Sequence, residues 1–406
     1  MKYEPIPVAL LDIGQPIPVD VWAPDGRLLL RKGQALRSEE HKEMLSAHQA
    51  AMTETDAKAW HRSLDRLVQQ LLREGADAEA IARVRMPRDI TENDYIVGRE
   101  VRGGWLDLQE ILRSLLYQGA AAISPLPRLE GLEIKARELL QQDPDEGLFT
   151  LFQALADTSL GYCATHALLA GVVGELTASK LGLPEASRRA LFRAALTMNI
   201  GMARDQDSLA RQRSPLYDTQ RRLIRAHPQT SVAILQTLGV ADDDQLDLVR
   251  WHHDPDLTQG RARNQDSRRI LNTVDSFVAK MAARQTRQAL SPLVASKSLL
   301  LSADPHTVKI GSAMATALGF YPPGTYVQLV NGETAVAIAR GPRANMPQVV
   351  SLVTAAGMPL SKYVYRDTSD AQFAIHAPLN PEKVKIKVSL EKVRRVRSAL
   401  SGADPV

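Results

Sequence analysis

Side chains that could hold a metal ion recur along the middle of the chain. Four histidines lie within segments of helical pattern: His166, His227, His252 and His253. Imidazole is the commonest side-chain metal ligand, and several helices of a bundle often contribute ligands to one internal site. A single helical histidine is weak evidence, since most are surface or hydrogen-bonded residues. The adjacent pair His252–His253 is more informative because it ends an apolar segment just before Pro255.

An acidic side chain adds to this set. Asp275 lies within the apolar segment "NTVDSFVAK". A buried carboxylate is costly unless a cation or a hydrogen-bond donor meets it. Two partners stay open at this point: a metal ion, or one of the arginines Arg284 and Arg287 if the chain folds back.

Helices must position these residues. Apolar residues at spacings of three and four predict successive helices, over "HALLAGVVGELTASKLGL", "ASRRALFRAALTMNIGMA", "TQRRLIRAHPQTSVAILQTLG", "DQLDLVRWHH" and "ILNTVDSFVAKMAARQTRQAL". In the second of them, a continuous helix would align four apolar residues in one packing stripe: Ala194, Ala195, Met198 and Met202. That stripe favours a structural role for Met198.

Two smaller modules flank the helices. Near the N-terminus, Asp25–Gly26 predicts a tight hairpin turn and Ser38 predicts the cap of a short helix through His48. After Gly319, the segment "YPPGTYVQLVNGETAVAIAR" predicts a second hairpin at Asn331–Gly332. The basic run "KVKIKVSLEKVRRVR" that follows predicts a solvated strand and helix face.

Composition narrows the class of protein. The chain has 406 residues, a formal net charge of +4 and one cysteine. A single cysteine, Cys163, excludes an intramolecular disulfide, and this favours a reducing, cytoplasmic location. Cys163 is more typical of a packed helix residue than of a nucleophile. The N-terminus predicts no leader, and no apolar run predicts a membrane span. We find no glycine-rich phosphate loop, nucleophile elbow or CxxC pair. We also find no DNA-reading motif, so neither a nucleic acid nor a membrane is favoured as a partner.

The order of the histidines, the His227–Pro228 step, Asp275 and the "GFYPPGTYVQLVNGETAVAI" tail together resemble the HD-GYP domains, a subfamily of the HD metal-dependent phosphohydrolases. The resemblance covers roughly residues 155–340. It implies a helical bundle around a two- or three-metal site that hydrolyses the bacterial second messenger cyclic di-GMP. Within it, the expected metal ligands are His166, His227, His252, His253 and Asp275.

The chain departs from that pattern in three places. Family members have a stretch like "LHDIGK" where this chain has "TMNIGM", so Met198 and Asn199 replace a His-Asp pair and Met202 replaces a lysine. Tyr162 stands where several members have a glutamate ligand. The loop in "HHDPDLTQGRARNQDSRRI" lacks Gly-Tyr-Pro. An amide is a poor bridge between two dications, and a thioether is too soft for Fe, Mn or Mg.

These departures predict a catalytically impaired HD-GYP relative that acts as a binding or scaffolding module in bacterial signalling. The alternative is a residual metal-dependent cyclic di-GMP phosphodiesterase that uses the remaining histidines. The expected cofactor is one divalent metal ion (Fe, Mn or Zn) or none. The expected partners are cyclic di-GMP or another phosphodiester, and other signalling proteins. A phosphate site is predicted from the arginine forks just before His227, with a solvated helix face as the alternative (Arg221, Arg222 and Arg225).

The resemblance and the patterns together predict a mainly α fold. Its centre is an HD-type helical bundle core, with a small α+β N-terminal module and a small β-rich C-terminal module. The predicted domains are an N-terminal module, a helical connecting region, an HD-GYP-like domain and a β-rich module with a basic tail (residues 1–55, 56–150, 151–315 and 316–406).

Overall fold

The computed structural model describes most of the chain, in two units that divide between residues 99 and 100. The described residues are 3–73, 103–282, 289–384 and 386–401, with single positions between the first two ranges (77, 79, 81, 84, 86, 87, 89, 90 and 101). The chain is mainly α-helical with small antiparallel sheets, which confirms the predicted fold class. The bounds of the four predicted domains stay predictions.

The N-terminal unit is a small α+β module. Its four strands lie in the order β1-β4-β2-β3, and two helices accompany them: β1 (Tyr3–Pro5), β2 (Val21–Trp22), β3 (Leu28–Leu30), β4 (Ala51–Thr53), α1 (Glu39–Ala47) and α2 (Glu54–Arg73). The predicted turn is confirmed, with Gly26 at a φ of +81°, a conformation that glycine adopts without strain. Ser38 caps α1 as predicted, because its Oγ accepts a hydrogen bond from the His41 amide at 3.2 Å.

The second unit is built mainly from helices: α3 (Trp105–Gln118), α4 (Pro125–Gln142), α5 (Pro144–Ala156), α6 (Tyr162–Lys180), α7 (Glu185–Thr197), α8 (Ala203–Arg211), α9 (Asp218–Thr237), α10 (Asp243–Trp251), α11 (Gln265–Met281), α12 (Pro292–Leu300) and α13 (Pro305–Leu318). Helix α6 is buried on nearly every side. It packs against α5, α7, α11 and α13, as expected for a helix that is apolar all round. No described helix is long and apolar enough to cross a membrane.

The predicted continuous helix through Met202 is wrong. Helix α7 ends at Thr197, and a short 3-10 turn over Ile200–Met202 precedes α8. Side-chain bonding from α9 causes the break: Ser231 Oγ donates to the Met198 carbonyl at 2.7 Å and accepts from the Gly201 amide at 3.0 Å. The backbones approach so closely that a Cβ on Gly201 would lie 2.8 Å from the Ser231 nitrogen. The four predicted stripe residues are buried nonetheless.

The predicted helix through Asp275 also ends early. Helix α11 stops at Met281, and Ala282 is already extended. Arg284 and Arg287, predicted as partners of Asp275, lie outside the described residues.

The C-terminal part is a five-stranded antiparallel sheet in the order β8-β7-β6-β5-β9, followed by a helix: β5 (Tyr326–Leu329), β6 (Thr334–Ala339), β7 (Gln348–Val353), β8 (Pro359–Asp367), β9 (Ile375–Leu379) and α14 (Leu390–Ser401). The predicted hairpin at Asn331–Gly332 joins β5 to β6 and is confirmed. Gln153 of α5 joins the sheet to the helices, since its Nε2 donates to the Gly324 carbonyl at 2.6 Å.

The predicted solvated strand in the basic C-terminal run is wrong. Residues 386–389 form no strand, and Val393 of α14 packs in the core of the sheet. Arginines of this part instead bind the acidic first turn of α5, in the pairs Arg340–Asp145, Arg394–Glu146 and Arg397–Asp143. Two arginines of the run, Arg394 and Arg397, are therefore used in ion pairs within the chain.

Candidate metal site

Three of the predicted ligands come together where the middle of one helix meets the end of another. His227 lies in α9, while His252 and His253 directly follow α10. One nitrogen from each ring lies within 4.8 Å of the other two. Helices α9 and α10 contact each other, and Gln245 of α10 donates to Thr197 Oγ1 of α7 at 3.1 Å. Adjacent helices of the bundle thus place the three imidazoles at one point.

Backbone carbonyls fix the tautomers of the two buried rings. His227 Nδ1 lies 2.6 Å from the Ile224 carbonyl, and His252 Nδ1 lies 2.7 Å from the Val249 carbonyl. A carbonyl only accepts, so each Nδ1 carries the proton and each Nε2 presents a lone pair. Metal-binding histidines are typically held in this way.

The two Nε2 atoms face each other at 3.2 Å. Two unprotonated nitrogens cannot hydrogen-bond to each other, so a cation between them would stabilise this contact. Two nitrogens bound to one tetrahedral ion at about 2.05 Å are about 3.3 Å apart. The observed separation of 3.2 Å is compatible with two ligands of a single ion.

Burial keeps these rings in the form that binds metals. Removal from water is the main reason that the pKa of His227 is lowered to about 4 and that of His252 to about 3. The nearby His253 adds to the lowering, while Asp275 and the hydrogen bonds to backbone carbonyls oppose it. Both rings are therefore neutral at pH 7. A metal ion then binds without displacing a proton from either of them.

His253 forms the open edge of the site. It is exposed, whereas His227 and His252 are buried. Its ring centroid lies 4.1 Å from that of His252 and 5.1 Å from that of His227. A small ligand could therefore approach an ion held by the three rings from this edge.

A buried ion pair shapes the loop that follows the paired histidines. Arg268 Nη1 contacts Asp247 Oδ2 at 2.9 Å, and the same guanidinium donates to the carbonyls of Pro255 and Arg261. The loop lacks the Gly-Tyr-Pro expected from the resemblance, but these contacts of Arg268 hold its backbone in place. Asn272 also holds the His252 carbonyl through Nδ2 at 2.7 Å.

The other two predicted ligands, His166 and Asp275, bind each other. His166 Nε2 lies 2.8 Å from Asp275 Oδ1, and Tyr162 Oη lies 3.0 Å from His166 Nδ1. Burial raises the pKa of Asp275, but the hydrogen bond from His166 and the nearby imidazoles outweigh it and hold the pKa well below its usual range. The structure thus pairs this partly buried carboxylate with a histidine of α6.

The turn containing Met198 and Asn199 offers little to a metal. Met198 is fully buried, and Asn199 is 3% exposed with an Nδ2 that has no hydrogen-bond partner. The turn packs against α9 one helical turn beyond His227. Among the described residues, we find no second group of three histidine, cysteine or carboxylate side chains close enough to hold an ion.

The three arginines predicted to bind phosphate are exposed on α9. They stand two, five and six residues before His227 (Arg225, Arg222 and Arg221). At about 100° per residue they point about 140° to 240° around the helix from it. The predicted phosphate site at these arginines stays a prediction, and it lies away from the side of α9 that carries His227.

Several supporting residues were missed from the sequence. Ser231, Asn272 and the Asp247–Arg268 pair act across the fold, so no local pattern marks them. Tyr162 was noted only for its departure from the family pattern, yet it stands four residues before His166 on one helix face. That spacing is a signal that could have predicted their contact.

Comparisons with known proteins returned little. No family model matches the chain, and no curated protein matches it. Among solved structures, it is similar to "Bd1817, a HDG"Y"P protein from Bdellovibrio bacteriovorus", with 13% sequence identity and a TM-score of 0.40, over 77% of this chain and 98% of that one. At this level of similarity, the functional argument depends on the residues of the site themselves.

Proposed function

We propose that this chain is a signalling module of HD-GYP type that binds one divalent metal ion through His227, His252 and His253. Through that ion it would bind a phosphodiester such as cyclic di-GMP, with hydrolysis impaired. The observation that carries the proposal is the pair of Nε2 lone pairs facing each other at 3.2 Å. Contacts with other signalling proteins and a cytoplasmic location belong to the same proposal.

The donor set fits the expected metals. Neutral imidazoles suit Zn and Fe, and Mn is a weaker candidate because it prefers oxygen ligands. Three histidines with a fourth position open toward solvent also match a common pattern of zinc sites. An ion bound there would supply a Lewis acid that attracts and polarises a phosphoryl oxygen.

The Met198–Asn199 turn is the reason to expect impaired hydrolysis. A two-metal phosphodiesterase stabilises both the attacking and the leaving oxygen with its ions. The buried thioether of Met198 and the amide of Asn199 supply no charge to a second ion. One ion alone can position a phosphodiester but leaves half of that stabilisation missing.

A residual phosphodiesterase is the second candidate. It is favoured by the exposed edge at His253 and by the ionised Asp275, whose charge acts on all three imidazoles. A carboxylate beside an open metal position could accept a proton from an attacking water. The same ligands would then serve slow hydrolysis.

The test measures metal content and nucleotide binding on the same purified chain. Elemental analysis after reconstitution with Zn, Mn or Fe should give one ion per chain. Calorimetric titration with cyclic di-GMP should show binding to the metal-loaded chain and not to the chelator-treated one. His376→Gln is the control variant, since His376 is exposed on β9.

Each outcome decides between the candidates. Binding without turnover supports the impaired module, while turnover that is lost in His227→Ala supports the residual phosphodiesterase. A chain that binds neither ion nor nucleotide contradicts both candidates and points to a protein-binding scaffold.

A further inference from the structure

Three side chains outside the group of three imidazoles are joined by hydrogen bonds: Tyr162, His166 and Asp275. Tyr162 and His166 lie four residues apart on α6, with ring centroids 5.3 Å apart. His166 reaches across to Asp275 of α11 at 2.8 Å. Tyr162 and His166 are 6% and 1% exposed, so water cannot easily replace these contacts.

The direction of these hydrogen bonds follows from Asp275, the last of the three groups. Asp275 is ionised and can only accept, so His166 Nε2 carries the proton and donates it. With its ring proton at Nε2, His166 presents a lone pair at Nδ1, and Tyr162 Oη donates to it. The order of the hydrogen bonds is therefore Tyr162 to His166 to Asp275.

This arrangement uses both nitrogens of His166. A histidine binds a metal ion through a ring nitrogen lone pair. His166 has one lone pair, and the hydroxyl of Tyr162 occupies it at 3.0 Å. The tautomer is the opposite of that in His227 and His252, where Nδ1 carries the proton and Nε2 is free.

The backbone at the start of α6 holds Tyr162 in place. The Cys163 amide donates to Asp207 Oδ1 at 2.6 Å, and Thr165 Oγ1 donates to the Gly161 carbonyl at 2.9 Å. Asp207 is itself buried, on α8. The start of α6, from which Tyr162 projects, is therefore held both by its own first turn and by α8.

We propose that His166 is a positioning residue and not a metal ligand: with Tyr162, it orients the Asp275 carboxylate toward the ion that His227, His252 and His253 bind. This inference rests on the proposed metal site for its effect on affinity. It deepens that site by assigning three imidazoles to the ion. It also gives Tyr162 a role where a glutamate was expected.

The first test needs no metal. In the metal-free chain, nitrogen-15 spectra of the imidazoles should show His166 as the Nε2–H tautomer and both His227 and His252 as Nδ1–H tautomers. A His166 ring protonated at Nδ1 would overturn the inference, whether or not the chain binds metal.

The second test counts imidazoles at bound Zn by X-ray absorption. The wild-type chain and His166→Gln should both show three imidazoles, while the affinity of the variant falls about 10–100-fold, the usual cost of losing a supporting contact. A wild-type chain that binds no Zn contradicts the proposed metal site, and the tautomer test still decides the inference. The loss of one imidazole in His166→Gln would make His166 a ligand and overturn it.

The hydroxyl is tested by Tyr162→Phe, with Tyr326→Phe as the matched control. Tyr326 is another buried tyrosine, whose hydroxyl binds Gln153 at 3.0 Å. Tyr162→Phe should weaken Zn binding in the wild-type chain and have no further effect in His166→Gln, because the hydroxyl acts through that ring. Equal weakening in both backgrounds, or none in the wild-type chain, would contradict the proposed order. Tyr326→Phe should leave Zn affinity unchanged.

Discussion

Two neighbouring parts of the bundle differ sharply in what they offer a ligand. Where the middle of α9 meets the end of α10, three imidazoles have ring nitrogens that lie within 4.8 Å of one another. One helical turn along α9, the turn with Met198 and Asn199 is as buried as His227 and His252 but presents a thioether and an amide. Neighbouring parts of the bundle thus offer a ligand nitrogen donors in one place and a packed turn in the other.

The difference shows how the three imidazoles can keep their arrangement beside a turn that has no metal-binding side chains. Each imidazole Nδ1 of the buried pair is tied to a carbonyl of its own helix, so these rings keep their orientation without help from the Met198–Asn199 turn. Ser231 holds the turn in place by hydrogen bonds to the backbone of the turn, and not to its side chains. Replacing the side chains of the turn therefore leaves the three imidazoles in position.

The largest effect is expected from removing an imidazole. His252→Ala should weaken Zn binding by more than about 100-fold, since losing a supporting contact alone costs about 10–100-fold. Equilibrium dialysis with a competing chelator measures it, with His376→Gln as the control. An unchanged affinity in His252→Ala would show that the ion binds elsewhere.

Acid should destabilise the metal-free chain through the same rings. The pKa of His227 is lowered to about 4 and that of His252 to about 3, against 6.5 in the unfolded chain. A lowered pKa means that the unfolded chain takes up protons first, so this stability is fully present above about pH 6.5 and is lost as the pH falls toward 4 and then 3. At about 1.4 kcal/mol per pKa unit, the loss is on the order of several kcal/mol.

Denaturant titrations between pH 8 and pH 4, in the presence of a chelator, measure this loss. His227→Gln should make the free energy of unfolding less sensitive to acid than that of the wild-type chain. His376→Gln should not change the sensitivity. The same sensitivity in all three proteins would show that the buried imidazoles are not responsible.

Shortening the thioether should affect stability and not metal binding. Met198 is fully buried, so Met198→Ala should lower the free energy of unfolding by about 2–5 kcal/mol through the cavity it leaves. Its Zn affinity should stay that of the wild-type chain. Weaker Zn binding with unchanged stability would show that Met198 supports the metal site and does not stabilise the core.

The smallest effects separate the two polar side chains that meet at this turn. Ser231→Ala leaves the Met198 carbonyl and the Gly201 amide without their partner and should cost about 1–3 kcal/mol. Asn199→Ala removes an amide whose Nδ2 has no partner and should cost less than about 1 kcal/mol. Thermal unfolding of both variants measures the difference. The reverse order would show that the Asn199 amide supports the turn.

Much of the fold follows from local patterns. The spacing of apolar residues predicted the helices, and turn residues such as Asn331–Gly332 predicted the hairpins. The helix break at Met198 could not be predicted in this way, because its cause is a serine on another helix, 33 positions along the chain. A continuous helical pattern cannot reveal a hydrogen bond from elsewhere in the fold.

The site was predictable as a set of residues but not as an arrangement. Four histidines and Asp275 were predicted together, and the structure brings three of the histidines to one point. The pairing of His166 with Asp275 joins positions 109 residues apart. Which nitrogen of each ring is free depends on carbonyls and hydroxyls that only the folded chain brings into contact.

The number of metal ions bound per chain tests the central claim most directly. Elemental analysis of the reconstituted protein, after dialysis against metal-free buffer, should give one ion per chain, because the three imidazoles are the one such group found among the described residues. Two or more tightly bound ions would show that the Met198–Asn199 part still binds metal. No bound ion would show that the facing imidazoles are a packing arrangement and not a metal site.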